Sequence, residues 1–264
     1  MQIIFPFCLH ISNKSTTFVA ERYSQAMKRF VVFIFFLAIA MYSIAGNQPT
    51  NGMKNYHLTT AHTDQLSVYD ITDCSMQLAC GTMPDTANQQ IVLCVAAAFT
   101  GKCLDTFAHS NILGMHIFDG VRYDGYEETP EHYAFFAAWG KEKGIFEGAT
   151  PELLQEVQRA GGMGFTQYWV IKQGKSYVPE RQKIKQEYYR CIAQKNSRTY
   201  IIESRGIVAY NTFLEQLLNF GVENALYLDM GRGWNHSFYR DAGGELHILH
   251  PYAHPYCTNW IVVL

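Results

Sequence analysis

The stretch that decides the fold reads RTYIIESRGIVAYNTFLEQLLNFGVENALYLDMGRG and covers residues 198–233. Thr199 to Glu203 is rich in β-branched and aromatic residues, and so is Ile207 to Tyr210 beyond a short turn, so both are predicted to be strands. Asn224 to Leu228 is predicted to be a third strand, and it ends directly before Asp229. The chain therefore builds part of a sheet here and leaves an acidic residue at the carboxyl end of a strand.

A helix is predicted between these strands, from Thr212 to Phe220. Thr212 and Glu215 have the spacing of a capping box, and Gly221 stands where a left-handed C-terminal cap is expected. Four apolar residues recur at helical spacing, and we expect them to pack against the sheet: Phe213, Leu214, Leu217 and Leu218.

The rest of the chain adds strands and helices without a repeat or a low-complexity linker. Threonine, proline and glutamate in succession are typical of a helix start, and they occur at Thr129-Pro130-Glu131 and again at Thr150-Pro151-Glu152. Phe165 to Lys172, followed by Gln173-Gly174, is predicted to be the first half of a hairpin. The pattern predicts an α+β fold in which helices pack on a mixed β-sheet core.

The composition limits the classes of protein that this chain can belong to. Of its 264 residues, 48% are hydrophobic and 17% are charged, and the formal net charge is −2. These values exclude a disordered chain and a multi-span membrane protein. The sequence also has no basic stripe of the kind that nucleic-acid binding requires, so no nucleic-acid partner is expected.

The N-terminal region indicates export. Lys28-Arg29 forms a short positive region, Phe30 to Tyr42 is an apolar run of 13 residues, and Ser43-Ile44-Ala45 is typical of a signal-peptidase site. A membrane-spanning helix needs about 20 apolar residues, so no stable membrane span is predicted. We interpret residues 27–45 as a signal peptide, residues 1–26 as the product of a mis-called upstream start, and residues 46–264 as a periplasmic or secreted domain.

Removal of residues 1–45 leaves six cysteines, an even number that permits up to three disulfides in an exported protein. They are Cys74, Cys80, Cys94, Cys103, Cys191 and Cys257. The sequence does not select among the pairings. Cys94 lies inside an apolar run and is expected to be a buried, small hydrophobic residue.

The glycine-rich turn after Asp229 predicts a ligand site. Ligands collect at the carboxyl ends of strands in sheets of this kind, and glycines allow the backbone to approach a ligand closely. Arg232, inside the turn, can form two parallel hydrogen bonds with a phosphate, and Trp234 offers a ring for stacking on a sugar. The substrate-binding candidates are Gly231, Arg232, Gly233, Trp234 and Asn235.

The same stretch resembles the C-terminal signature of the phosphodiester glycosidase family. That signature is an Arg-Thr-Ala-Ile-Gly-like strand, a helix, and then Gly-x-x-x-Ala-Leu-Asn-Leu-Asp-Gly-Gly-Gly-Ser. It is matched by Arg198-Thr199-Tyr200-Ile201-Ile202, by the predicted helix, and by the run from Gly221 to Gly233. The resemblance extends loosely back to Val92. It implies the family fold, hydrolysis of a sugar phosphodiester without a cofactor, and a relationship to exported, exopolysaccharide-related bacterial proteins.

The chain departs from the family pattern in two places. The family's Asp-Gly-Gly-Gly-Ser corresponds to Asp229-Met230-Gly231-Arg232-Gly233, which places a bulky side chain at the first glycine and a cation at the third. A second family motif, Asn-Gly-Gly-Phe-Phe, corresponds to Ala97-Ala98-Phe99-Thr100-Gly101, which lacks the asparagine. Arg198 and Asp229 match, so the resemblance implies that these two residues are catalytic.

A glycosidase generally uses two carboxyl groups. Asp229 is the first candidate, and Asp119, Asp124 and Glu203 are alternatives for the second. Asp119 and Asp124 each precede a glycine and can equally be turn residues, and a glutamate at a strand end can equally be a solvated one. We take Asp124 as the catalytic candidate beside Asp229 and Arg198.

Four residues near the C-terminus are of metal-ligating types: His247, His250, His254 and Cys257. Pro251 and Pro255 exclude a helix that would present them together, and on a strand His247 and His250 point to opposite faces. No metal site and no cofactor are therefore predicted.

The combined pattern predicts an exported hydrolase that acts on a carbohydrate or sugar-phosphate substrate and cleaves a sugar 1-phosphodiester or a related glycan phosphodiester. Because a phosphodiester has a good leaving group, Arg198 and Arg232 can supply charge stabilisation in place of a strong general acid. The alternative is a non-catalytic carbohydrate-binding or envelope-binding protein on the same fold, since the glycine motifs are altered.

Cleavage of the signal peptide is the first testable prediction. We expect the mature protein to begin near Gly46 and to be found in the periplasm or outside the cell, because residues 28–45 have the three regions of an export signal. N-terminal sequencing of the protein from fractionated cells checks this. A mature cytosolic protein that retains residues 30–42 would contradict it.

Overall fold

The computed structural model describes residues 58–100, 112–125, 133–178, 186–230, 236–250 and 259–264. All of these residues belong to one compact unit, Tyr56–Leu264. The predicted signal peptide, residues 27–45, and the segment before it lie outside the described residues.

The described residues form many short strands and two helices. The strands are β1 Thr59–His62, β2 Leu66–Asp70, β3 Met76–Cys80, β4 Leu93–Ala96, β5 His116–Phe118, β6 Val121–Tyr123, β7 Tyr133–Trp139, β8 Glu142–Phe146, β9 Met163–Lys172, β10 Lys175–Ser176, β11 Gln186–Glu187, β12 Arg190–Lys195, β13 Arg198–Ser204, β14 Val208–Ala209, β15 Asn224–Leu228, β16 Ser237–Arg240, β17 Leu246–His250 and β18 Asn259–Val263. The helices are α1 Pro151–Arg159 and α2 Tyr210–Phe220.

Eleven of these strands form one large sheet. Its hydrogen-bonded path runs β1-β2-β13-β12-β15-β9-β5-β6, while β10 and β7 also pair with β9 and β8 pairs with β7. β12 is antiparallel both to β13 and to β15, so β13 and β15 run in the same direction on either side of it. The carboxyl ends of β13 and β15 therefore reach the same edge of the sheet.

A second sheet of five strands, in the order β17-β16-β4-β18-β3, packs on one face of the large sheet. The core between the two sheets, which we call the sandwich core, contains buried residues of both. Ile192 and Leu226 come from the large sheet, and Leu93, Val95 and Ile261 from the smaller one. This packing removes the alternate side chains of the central strands from water on that face.

Helix α2 covers the opposite face of the large sheet, as the sequence predicts. Phe213, Leu214 and Leu217 are buried with side chains of β2, β12 and β15, whereas Leu218 is 37% exposed, so its predicted burial is wrong. The helix begins two residues before Thr212, and its N-cap, Ala209, makes no side-chain hydrogen bond, so the predicted capping box is also wrong. We call this second layer of packing the helix-side core.

Two other predicted capping residues, one at the end of α2 and one at the start of α1, agree with the structure. Gly221 ends α2 in the left-handed conformation, with φ of 89°, and Thr150 caps α1 by accepting a hydrogen bond from the Leu153 N–H at 3.3 Å. Pro151 occupies the first turn of α1, where its missing N–H costs nothing. These two capping signals are therefore confirmed, whereas the capping box of Thr212 and Glu215 is not.

The helix predicted after Thr129 is instead strand β7. Its side chains alternate between two buried surfaces, since Phe135 and Ala137 pack with α1 while Ala134 and Phe136 enter the sandwich core. The described residues are thus mostly β-sheet with two helices, and "α+β" describes them only loosely. None of the helices in the described part of the chain is long and apolar enough to cross a membrane.

Packing of α2 gives the second prediction. Leu217→Ala should lower the free energy of unfolding by about 2 to 5 kcal/mol, because Leu217 is fully buried and the truncation leaves a cavity. Leu218→Ala, one residue further on the same helix, is the matched control and should cost about 1 kcal/mol or less. Denaturant titration of both variants checks this, and equal losses would contradict the placement of the helix.

Candidate functional site

Asp229 lies where β15 leaves the large sheet. Its backbone N–H donates a hydrogen bond to the Ala97 carbonyl at 2.9 Å, and its side chain is buried. Ala97 directly follows β4 of the second sheet. The carboxyl ends of β15 and β4 therefore meet at this point. Ligands commonly bind at the carboxyl ends of strands.

The segment after β4 crosses the edge of the large sheet from one core to the other. Ala97 and Ala98 belong to the sandwich core, whereas the Phe99 ring packs 5.6 Å from the rings of Tyr168 and Tyr227 on the helix side. Asn259 fixes the crossing, since its Oδ1 accepts from the Ala98 N–H at 2.7 Å and its Nδ2 donates to the Ala98 carbonyl at 3.0 Å.

A buried ion pair lies beside this edge. Arg190, at the start of β12, is directly opposite Glu203 on β13 and Leu228 on β15. The Arg190 guanidinium donates to Glu203 Oε2 through Nε at 2.9 Å and through Nη2 at 2.5 Å. Nη2 also donates to Ser237 Oγ at 2.9 Å, and His250 Nε2 donates to Glu203 Oε1 at 2.5 Å. We call these four side chains the Arg190 cluster.

The cluster keeps Glu203 ionised although the carboxyl is buried. Burial alone raises the pKa of Glu203, but the charge of Arg190 and the hydrogen bond from His250 outweigh it and hold the pKa below its usual value. Burial, with the Glu203 charge as the next cause, raises the pKa of the neighbouring Tyr69 phenol well above its usual value. Glu203 is thus an occupied hydrogen-bond acceptor, not a free base.

One donor of the cluster is left over. Arg190 is fully buried, and its Nη1 has no hydrogen-bond partner among the residues that the structure describes. Buried guanidinium groups normally use all their donors. Arg190, which is paired with the last residue of β15, therefore carries a charged N–H that no described residue uses.

Asp229 reaches the same edge from the other face. Along β15, Leu228 faces the sandwich core and Tyr227 the helix-side core. Burial raises the pKa of the Tyr227 phenol, and the nearby charge of Asp229 adds to this effect, which places Asp229 near Tyr227. Asp229 and the Arg190 cluster therefore flank the end of one strand.

Arg198 does not join Asp229, although the sequence predicts that it does. Arg198 begins β13 and is paired with Lys195 on β12. Arg190, which is paired with Leu228 at the end of β15, lies five residues earlier on β12. Five residues of a strand span about 17 Å. There it forms an ion pair with Asp70 at 2.7 Å, and its side chain is 49% exposed. Because β13 and β15 run in the same direction, a residue that begins one lies far from a residue that follows the other.

Neither of the predicted turn carboxylates joins the site. Asp124 follows β6, pairs with Arg122 at 2.7 Å, and is 82% exposed. Asp119 lies in the turn between β5 and β6 with φ of 51°, a turn position that Asp tolerates. Of the three alternatives for a second carboxylate, only Glu203 lies at the end of the large sheet where β15 ends, and β12 separates its strand from β15.

The predicted substrate-binding residues, Gly231, Arg232, Gly233, Trp234 and Asn235, lie outside the described residues. Their neighbours are placed: Met230 is buried in the helix-side core, and His236 Nε2 donates to the Pro84 carbonyl at 3.3 Å. Met230, at the position of the first glycine in the motif that this stretch resembles, therefore contributes to packing. Its side chain is directed away from solvent.

Of the four C-terminal residues of metal-ligating types, the structure describes His247 and His250. Asp241, Glu245 and His247 bring one potential ligand atom each to within 4.8 Å of one another. Asp241 already accepts from the backbone N–H groups of Gly243 and Glu245 at 2.9 Å and from His247 Nε2 at 3.0 Å, bonds that close the turn between β16 and β17. His250 belongs instead to the Arg190 cluster, and His254 and Cys257 lie outside the described residues.

Arg190 is the residue that sequence reasoning missed. It begins β12, and the first four residues of that strand, Arg190-Cys191-Ile192-Ala193, are all buried. A cation at the start of a strand that is buried on both faces requires a partner, and that requirement is the signal that the sequence carried.

Comparison with known proteins gives a fold relationship. No protein-family model and no curated protein matches the sequence. Among solved structures, the chain is similar to the zebrafish N-acetylglucosamine-1-phosphodiester alpha-N-acetylglucosaminidase catalytic domain auto-inhibited by its pro-peptide, with a TM-score of 0.50 and 12% identity over 78% of this chain and 81% of that one. A hypothetical protein from Synechocystis gives a TM-score of 0.43 and 12% identity over 78% of this chain and 61% of that one.

The ion pair gives the third prediction. Glu203→Gln should lower the free energy of unfolding by about 3 to 5 kcal/mol, because it leaves the Arg190 charge buried without its counter-charge. Asp124→Asn removes a carboxylate from an exposed pair and should cost about 1 kcal/mol or less. Chemical denaturation of the two variants side by side checks this, and a Glu203→Gln protein as stable as the control would contradict the role of the cluster.

Proposed function

We propose that this chain is an exported hydrolase that cleaves a sugar 1-phosphodiester at the edge formed by the ends of β15 and β4. The observation that carries the proposal is the hydrogen bond from the Asp229 N–H to the Ala97 carbonyl. It joins the two segments that resemble the two motifs of the phosphodiester glycosidase family. The likeness to the fold of a phosphodiester glucosaminidase supports the same activity.

The chemistry needs a proton acceptor and a stabilised leaving group. Water adds to C1 of the sugar, the bond from C1 to the phosphate oxygen breaks, and a phosphate monoester leaves with the electron pair. In this proposal Asp229 takes the proton from water, because it is an acidic side chain at the point where the ends of β15 and β4 meet. General-base assistance of this kind typically contributes 10²- to 10⁴-fold in rate.

Arg190 replaces Arg198 as the arginine of the proposed site. The Nη1 atom of Arg190 has no partner in the described part of the chain. Arg190 is paired across the sheet with Leu228, the residue before Asp229. A charged N–H at this place can stabilise a phosphate oxygen as negative charge develops on it. Glu203 then acts as a positioning residue, because its carboxylate accepts hydrogen bonds from Nε and Nη2 of Arg190 and so orients the guanidinium plane.

Hydrolysis of a defined compound is the fourth prediction and tests this proposal. The purified protein should release N-acetylglucosamine from the methyl phosphodiester of N-acetylglucosamine 1-phosphate. Asp229→Asn should reduce kcat by at least about 10²-fold, the lower end of what a general base contributes. The matched control, Asp124→Asn, should keep full activity because Asp124 is exposed and lies outside the site.

Two other results would overturn the catalytic proposal. Saturable binding of the diester without release of sugar would favour the alternative, a non-catalytic carbohydrate-binding protein on this fold. Full activity of a folded Asp229→Asn protein would remove Asp229 from the mechanism.

A further inference from the structure

Two buried side chains beyond the Arg190 cluster each present a nitrogen without a partner. His116 on β5 and Gln167 on β9 are both fully buried. The Nε2 atom of each has no hydrogen-bond partner within the described residues. Native proteins rarely leave such groups unpaired, and the exceptions commonly mark places where a ligand or water binds.

The sheet brings these two side chains to the same face. His116 lies directly opposite Phe165 on β9, and Gln167 is two residues further along that strand, so the three side chains share a face. Phe165 belongs to the sandwich core. Diagonal neighbours of this kind are about 7 to 8 Å apart, within reach of an imidazole and a glutamine amide that bind one small group between them.

The hydrogen bonds of His116 fix the character of its free nitrogen. Nδ1 lies 2.9 Å from the Gly114 carbonyl, and because a carbonyl only accepts, Nδ1 carries the proton. Burial lowers the pKa of His116 despite that hydrogen bond, so the ring is neutral near pH 7. Its Nε2 therefore presents a lone pair, which is an acceptor and repels an anion.

The hydrogen bonds of Gln167 fix its amide as well. The side-chain oxygen accepts from the Tyr168 N–H at 2.9 Å, and the opposite orientation would bring two donors together. The Gln167 Nε2 is therefore a donor, which repels a cation. One acceptor and one donor on neighbouring strands match a group that both donates and accepts, and a hydroxyl is such a group.

We propose that His116 and Gln167 form a hydroxyl-binding subsite that holds a sugar hydroxyl of the substrate. The hydroxyl donates to His116 Nε2 and accepts from Gln167 Nε2. Phosphodiester oxygens only accept, so they do not fit this pair. The subsite rests on the proposed function, since it assigns the neutral sugar half of the substrate to this place and leaves the phosphate half to Arg190.

The position of the subsite agrees with that division. Gln167 lies on β9 between the residues that pair with β5 and those that pair with β15. The pairing of Leu226 with Trp169, continued by two residues, places Leu228 across from Gln167. Arg190 is on the other side of Leu228, and Asp229 follows it. Arg190, proposed to bind the phosphate, and the pair His116 and Gln167, proposed to bind the sugar, thus lie on either side of the end of β15.

The fifth prediction tests the subsite by nitrogen NMR of histidine-labelled, full-length protein. Addition of N-acetylglucosamine, or of its methyl phosphodiester, should shift the His116 Nε2 resonance to a saturating value, because a new hydrogen bond forms at that atom. Inorganic phosphate should not shift it. If His116 is only structural, its Nε2 resonance should not shift with N-acetylglucosamine or with the methyl phosphodiester.

A matched pair of variants provides the second measurement. Gln167→Leu should weaken binding of N-acetylglucosamine by about tenfold, the loss of one buried hydrogen bond. Gln216→Leu is the control, since Gln216 is also a buried glutamine with an unpartnered side-chain atom but lies on α2 behind the opposite face. Its affinity should stay within about twofold of the parent protein.

The outcomes separate this inference from the proposed function. A sugar-dependent shift of His116 without hydrolysis supports the subsite and overturns the enzyme. Hydrolysis of the diester with an unchanged His116 resonance, or with an unchanged affinity in Gln167→Leu, overturns the subsite and indicates that the pair holds only a buried water. No response to either the sugar or its diester overturns the subsite as well.

Discussion

The structure depends on one buried charge pair. Arg190 and Glu203 join two central strands of the large sheet, and they reach the second sheet through Ser237 and His250. A pair of this kind does not add much net stability, because desolvation offsets most of the attraction between the charges. It does fix geometry, since either group alone would be a buried, uncompensated charge. The register of β12 with β13 and the placement of the second sheet must therefore satisfy the pair together.

This constraint also locates the candidate site. The pair is opposite Leu228, so it lies beside the end of β15, where Asp229 bonds to the segment that follows β4. Three of the buried nitrogens without partners in the described residues, those of Arg190, Gln167 and His116, come from the strands around this end. A core that were only structural would fill such positions with apolar side chains. These three atoms are the basis of the binding role proposed for this strand end.

The sequence predicted the elements better than their partners. The sequence predicts Gly221, Thr150 and the strand before Asp229 correctly, since their signals act within one turn or one strand. The equally local capping box of Thr212 fails, because the helix begins two residues earlier. The prediction of a helix over Tyr133 to Trp139 is wrong, since this segment is strand β7. The threonine, proline and glutamate before it suggest a helix start. The segment is a strand because it is buried on both faces, and that burial depends on residues distant in sequence. Leu218 was misplaced for a related reason, since only the contact with the sheet decides which apolar residues of α2 are covered.

The candidate site divides in the same way between sequence and tertiary structure. The sequence by itself determined that a strand ends directly before Asp229, because Asn224 to Leu228 is a short run of strand type. The segment around Ala97–Phe99 was linked to Asp229 by the family resemblance alone. Only the tertiary structure decided which arginine stands near Asp229. Arg198 and Arg190 both adjoin strands, but strand direction places Arg198 at the far end of the sheet and Arg190 at the near one. The order of strands in a sheet and their directions are set by contacts between residues distant in sequence, and no local pattern of amino acids encodes them.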